Sequence, residues 1–382
     1  MAPLFVGSRS EVRSDRIGLA ASTSDPGSAD AGDVYYNTSD NALKIYNGSD
    51  WASAGGGGTI DMVASGTIPN GAPVILQSDG TVAAVSSTGS PATFGTAVVF
   101  ESAEVADVSA AYDSSNGKVV IAYKDEGNAN NGTAVVGTVS GTSIIFGTPV
   151  NFNSGSFGTQ NIAVAYDSSN EKVVIAFQDG NNQSYGRAIV GTVSGTSISF
   201  GSKTTFEATS NVDFIAITYD SSNSKIVIAY RDVGNSNYGT AIVGTVSGTS
   251  ISFGSAAVFE SANTQNISAT YDSGNGKVVI AYRDYANSEY GTAVVGTVSG
   301  TSINFGSATV FESAVTRSIS PVYDSTNGKV VIAYRGGSNY GKAIVGNVSG
   351  TSINFGTAVV YESDTIVANG ATYDSNSGKV VI

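Results

Sequence analysis

The sequence predicts an all-β protein, with an N-terminal β-hairpin attachment region followed by a β-propeller of four-stranded antiparallel blades. Three observations predict it. The phrase "YDSSNGKVVIAY" at Tyr112 recurs, with small changes, at Tyr166, Tyr219, Tyr271 and Tyr323, and a last copy, "YDSNSGKVVI", starts at Tyr373. The copies are spaced by 54, 53, 52, 52 and 50 residues, a period that marks a repeat architecture. The repeated strand is also apolar on both sides: in "VVIAY", Val278, Ile280 and Tyr282 share one face, and Val279 and Ala281 share the other. A sandwich strand wets one of its faces. A strand apolar on both is covered on both, as happens when sheets stack around an axis. A parallel solenoid or a string of small domains is the alternative, and the tight hairpin turns and the long period weigh against it.

Residues 1–58 are expected to attach the chain to a larger assembly. Two short strands, Val34–Asn37 and Leu43–Tyr46, flank a Ser-Asp-Asn turn, and Trp51, the single tryptophan, is expected to cap that hairpin. The run Gly55–Gly58 is a flexible joint. Residues 59–91 form a connector whose hairpin, Ile68 to Val85, turns at Ser-Asp-Gly. Neither hairpin has the apolar residues for a core of its own.

Residues 92–382 hold the propeller repeats. One unit, Ile267 to Glu312, divides into the strands "ISATYD", "KVVIAYRD", "GTAVVGTVS" and "SINFGSATVFE". β-Branched and aromatic residues fill them, and Asn, Gly, Asp and Ser punctuate them. The stretch Ala92 to Ser102 matches only the fourth strand, and the chain stops at Ile382 inside a second strand. A ring of at least six blades is expected, its last blade incomplete here and continued in a longer parent chain.

Composition narrows the chemistry. The net charge of −13 argues against nucleic acid and anionic lipid as partners. With no Cys and no His, thiolate chemistry, zinc-thiolate sites and the commonest general base are absent. No apolar run reaches the ~20 residues of a membrane helix, and the N-terminus lacks a signal-peptide core, so neither membrane insertion nor Sec export is expected. The repeated acids Asp113, Asp167 and Asp220 are equivalent by position and are expected to form turns. "DSSNG" at Asp113 has one acid only, short of an EF-hand loop. No catalytic residue, metal ligand or cofactor is assigned.

The copies do not vary evenly. The turn after the first strand and the "VSGTS" turn barely change. The loop after the second strand reads "KDEGNANNG", "QDGNNQSYG", "RDVGNSNYG", "RDYANSEYG" and "RGGSNYG", and the segments between blades differ as much. Strand direction puts both variable sets on one face. Diverse loops on a rigid ring are how a scaffold carries recognition, although tolerated drift gives the same pattern. Arg and Tyr on that face suit sugar hydroxyls and acidic groups. The candidate ligand-binding residues are Arg231, Tyr238, Arg283, Tyr285, Tyr290, Arg335 and Tyr340; their matching positions in the repeat fit a packing role as well.

The stretch Gly32 to Asn37, then Leu43 to Gly48, then Trp51, resembles a motif of tail fibres and other virion appendages of tailed bacteriophages. Ile68 to Val85 is similar to short β-units of phage structural proteins, and the repeat is similar to repeats in marine phage proteins. The resemblance implies a virion protein made in the host cytoplasm. Its N-terminal part would join other virion proteins, its distal part would bind a host-surface glycan or protein, and the chain would be a homo-oligomer, a trimer being favoured. A purely structural or decorating component of tail or capsid is the alternative, and a propeller glycan-degrading enzyme the second. Against the enzyme, the repeats lack the Ser-x-Asp-x-Gly-x-x-Trp hairpin of sialidase-like propellers.

Overall fold

The computed structural model describes residues 20–54 except Asn41, the strands Val74–Leu76 and Val82–Ala84, and residues 95–382 except Ser156. The chain divides into two units, Met1–Thr93 and Phe94–Ile382. The boundary expected between residues 58 and 59 lies outside the described residues.

The first unit holds a four-stranded sheet in the order β1 (Ala20–Ser22), β2 (Val34–Asn37), β3 (Ala42–Tyr46), β4 (Trp51–Ala54). The hairpin β2–β3 is the one expected. Trp51 does more than cap it: it opens β4, paired with Tyr46, and β1 adds a parallel strand on the other side. Tyr35 is 1% exposed and meets the Trp51 ring edge-on at 4.7 Å. The indole Nε1 donates to the Pro26 carbonyl at 3.2 Å. Asn37 Oδ1 accepts from the amides of Ser39 and Asp40, which closes the turn. Tyr35, Tyr46 and Trp51 thus make one small aromatic cluster. A separate pair, β5 (Val74–Leu76) and β6 (Val82–Ala84), runs antiparallel; its turn lies outside the described residues.

The second unit is a series of antiparallel sheets, blades one, two and five having five strands each, while blades three and four are joined into one nine-stranded sheet by the continuous strand Ala257–Asp272. The first strands are Val105–Asp113, Thr159–Asp167, Val212–Asp220, the end of Ala257–Asp272, and Arg317–Asp324. These open blades one to five; Thr372–Asp374 and Lys379–Val381 pair as the start of a sixth. In blade four, Lys277–Asp284 pairs with the first strand and with Tyr290–Ser299, all antiparallel. The first strands of successive blades lie side by side, and their bulges line a common cavity.

Turn chemistry explains the hairpins. Asp272 Oδ1 accepts from the Asn275 amide at 3.0 Å and Oδ2 from its side chain at 2.8 Å. Gly276 follows with φ 64°, a left-handed conformation that costs glycine nothing.

The two apolar faces do different work. Val278, Ile280 and Tyr282, 0–1% exposed, pack on Val227, Ala229 and Val243 of blade three. The smaller face, Val279 and Ala281, receives Val330, Ile332 and Tyr334 of blade five. A large face therefore meets a small face at each interface, and burying each such Ile or Val contributes about 1.5–3 kcal/mol.

The fourth strand, expected as one piece, is two: in blade four, Ser302–Phe305 and Thr309–Val315. Both pair with the third strand, and Gly306 lies between them. A Cβ on Gly306 would overlap the carbonyl oxygen of Thr351, in the "SGT" turn of the next blade. Gly95, Gly147, Gly201 and Gly254 meet Thr142, Thr196, Thr249 and Thr301 in the same way. The strand breaks where the neighbouring blade presses on it.

An aromatic clasp completes each interface. Phe259, on blade three's outer strand, sits 5.3 Å from Tyr282 and 5.7 Å from Phe305 of blade four. Phe100 holds the same place against Tyr123 and Phe146, at 5.2 and 5.9 Å. Residues 95–102 form no strand, contrary to expectation. An outer strand needs a third strand of its own sheet beside it, and among the described residues none precedes Val105 in this unit. The hydroxyls of the clasp tyrosines reach carboxylates: Tyr282 donates to Glu260 at 2.9 Å and Tyr334 to Glu312 at 2.8 Å. Blade two changes both partners together. Phe177 replaces the tyrosine and Asn153 the glutamate, and Asn153 turns instead to Thr159 and Asp179, at 2.9 and 3.0 Å.

Candidate functional site

The variable loops form one continuous band. Segments between blades hydrogen-bond to the loops after the second strands, and those at Thr159, Val212 and Thr264 do so on both sides. Thr264 N donates to Asn237 O at 3.1 Å, and Tyr285 N to Asn263 O at 3.0 Å. Val212 N with Ser184 O, Thr316 N with Glu289 O, and Ile366 N with Asn339 O repeat the pattern. The acids here are turn formers: Asp232 Oδ1 accepts from the Asn235 amide at 3.1 Å and the Ser210 hydroxyl at 2.6 Å.

Beneath the band, each first strand carries a bulge. Its central residue is left-handed in all five blades: Asp107, Asn161, Phe214, Asn266 and Ser318, with φ between 48° and 51°. None is glycine. Two are held by side chains across blades: Asp107 Oδ2 accepts from the Asn161 amide and Asn161 Oδ1 from the Phe214 amide, both at 3.0 Å. Together with Val108, Ile162, Ile215, Ile267 and Ile319 these residues line an open cavity of about 320 Å³.

Immediately ahead of each bulge, the first strand faces the end of the second. The facing pairs are Ala106 with Lys124, Gln160 with Gln178, Asp213 with Arg231, Gln265 with Arg283, and Arg317 with Arg335. Arg231 is fully engaged. Its Nε and Nη2 donate to the two Asp213 oxygens at 2.6 and 2.5 Å, its Nη1 reaches Asn263 at 3.3 Å, and its guanidinium lies 4.8 Å from the Phe214 ring centre. Arg283, 7% exposed, donates to Gln265 Oε1 at 3.1 Å and pairs with Glu289, with Tyr285 5.5 Å away. Arg335 makes one bond, from Nη1 to the Ile366 carbonyl at 3.2 Å, and its buried Nε has no acceptor. Tyr238 and Tyr290 open the third strands, half-buried, opposite Asn263 and Val315. Tyr285 and Tyr340 are the exposed ones, at 47% and 38%.

The seven predicted residues therefore share one end of the unit but not one pocket. Arg283 and Tyr285 come together, Arg231 is locked into an ion pair, and Arg335 is the least committed. Sequence reasoning missed Asp213, Gln265, Glu289 and Arg317, which decide the state of each arginine. A signal for three of them was present: Asp213, Gln265 and Arg317 each stand six residues ahead of a repeat's Tyr-Asp.

No family profile and no curated protein matches the sequence. Among solved structures, the leech intramolecular trans-sialidase matches with a TM-score of 0.53 at 9% identity, over 79% of this chain and 71% of that one. The fold is a β-propeller. AofleA from Arthrobotrys oligospora matches at 0.47 and 8% identity, over 72% of this chain and 77% of that one. The fucose-specific lectin from Aleuria aurantia matches at 0.45 and 14%, over 69% and 84%. At such identities the likeness concerns the propeller fold.

Proposed function

We propose that the chain is a recognition protein whose variable-loop end binds a host-surface ligand, a glycan before a protein. One observation carries the reading: what varies between otherwise repetitive blades lies at one end of the unit, where backbone hydrogen bonds tie the loops to the segments between blades. That end carries arginines and exposed tyrosines, side chains suited to sugar hydroxyls and acidic groups. The setting we propose is a tailed-phage virion. The chain would be attached by its N-terminal unit to other virion proteins, oligomeric as a trimer, with a ring of at least six blades. The appendage-like motif at Gly32 to Trp51 supports this part. We propose binding without catalysis, because the repeated acids are engaged in their own turns: Asp113, Asp220 and Asp324 each accept from two backbone amides.

The test exchanges "RDYANSEYG" (Arg283 to Gly291) for "RDVGNSNYG" of blade three. Both loops fit the same blade geometry, but the exchange removes Glu289, the ion-pair partner of the nearly buried Arg283, so stability should fall by at most about 3 kcal/mol and the variant should still fold. Binding of the labelled protein to host cells and to immobilised glycans should fall. Unchanged binding with this and every other loop exchange would refute the reading.

A further inference from the structure

We infer that the facing arginines of blade five, Arg317 and Arg335, anchor the anionic group of an acidic saccharide, a carboxylate or a sulfate ester. The inference rests on the glycan reading above and names the ligand class and the blade.

The comparison is internal to the chain. Position for position, blade three sets Arg231 against Asp213, and blade four sets Arg283 against Gln265 with Glu289 closing on it. Blade five keeps the arginine and discards both neutralising groups. Arg317 stands where Asp213 and Gln265 stood, and Asn339, just before Tyr340, stands where Glu289 precedes Tyr290. Like charges directly opposite on an antiparallel pair are destabilising. Here they face each other at the same register position as the ion pair of blade three. Among the described residues neither arginine has an ion-pair partner. Arg317 makes no side-chain hydrogen bond, and Arg335 makes only the one to Ile366. The nearby Lys342 is already paired with Glu312 at 2.9 Å. A chain of net charge −13 has acids to hand, yet among the described residues none lies within ion-pairing distance of this pair.

Access and chemistry agree. Both residues are partly exposed, although Arg335 Nε is itself buried. The adjoining loop is the shortest of the five, "RGGSNYG", and presents Tyr340. Two planar donor groups side by side match an anion with two or more oxygens and supply charge-assisted bonds on each side of it. The anion would relieve the repulsion that the pair creates.

The test uses the full chain with Arg317→Asp, which recreates the Asp213–Arg231 pair and should therefore fold. Lys329→Gln, which removes one positive charge at the invariant end, is the control. On immobilised carboxylated, sulfated and neutral saccharides, the unaltered protein should be retained on one acidic class. R317D should lose at least roughly tenfold in affinity, a typical loss for a charge-assisted anchor, and K329Q should keep its binding. The acidic class retained tells carboxylate from sulfate. In parallel, sulfate added at constant ionic strength should raise the melting temperature of the unaltered protein more than that of R317D. Retention on neutral saccharides alone, equal in R317D, would overturn the inference and leave the glycan reading standing. Retention on acidic saccharides that R317D shares would also overturn it. A sulfate response confined to the unaltered protein, with no saccharide retained, would overturn the glycan reading and, with it, the saccharide as ligand.

Discussion

Glu171 occupies a turn position that four copies of the repeat fill with glycine. Gly117, Gly276, Gly328 and Gly378 have φ between 62° and 65°, and Glu171 is forced to 55°. A side chain in that conformation costs about 1–2 kcal/mol, while glycine's extra freedom in the unfolded chain costs about 0.5–1 kcal/mol. Glu171 is exposed, so nothing else is lost with its side chain. Glu171→Gly should therefore stabilise the protein by about 0.5–1 kcal/mol in chemical denaturation; a destabilised variant would show that the turn is not strained. This residue was legible from the repeat itself, because the turn type follows from Asp, Asn and Gly in order. The bulge residues were not. Asp107, Asn161, Phe214, Asn266 and Ser318 share a left-handed backbone and no chemistry, so their conformation is imposed by the strand pairing and the neighbouring blade. The candidate arginines stood out as repeated cations, yet whether each is neutralised depends on the residue across the strand pair, which the repeat frame reveals only once the register is known.

At the scale of the element, the period, the four strands and their double-sided burial could all be read, since each is written in local pattern. The break in the outer strand could not. Gly201 is needed because the carbonyl of Thr249, a whole blade later, occupies the space its Cβ would take. That demand comes from a long-range contact and leaves no local trace. Gly201→Ala should cost about 1–3 kcal/mol, the usual penalty for forcing atoms into a packed interface. Gly356, the equivalent residue of blade five, has its nearest neighbouring atom, Val345 O, 3.8 Å from a built Cβ. Gly356→Ala in this chain should therefore fall within about 0.5 kcal/mol of neutral. Equal costs at the two sites, measured by denaturant titration, would mean that local backbone preference and not the neighbouring blade selects glycine.

For the whole propeller, the blade interfaces share a titratable device. Tyr123, Tyr230, Tyr282 and Tyr334 are fully buried. Burial, followed by the charge of the partner glutamate or a hydrogen bond to it, pushes each phenol well above its ordinary value of 10.0. A raised pKa in the folded state means that the fold holds these protons more tightly than the unfolded chain does. Their stabilising effect is complete below the unfolded value and is lost as pH rises past it. Stability should thus fall above pH 10, by up to roughly 1.4 kcal/mol per pH unit for each such tyrosine. Tyrosinate absorbance from these four residues should then appear together with the loss of β-sheet circular dichroism. General repulsion on a chain already at −13 also grows with pH, so the slope must be assigned by substitution. Phe177 shows that the fold accepts phenylalanine at this position. Replacing Tyr230, Tyr282 and Tyr334 by Phe should lower stability at neutral pH through the lost hydrogen bonds to glutamate, and should flatten its fall above pH 10. A slope unchanged by the three substitutions would assign the alkaline unfolding to net charge alone and remove the interface tyrosines from it.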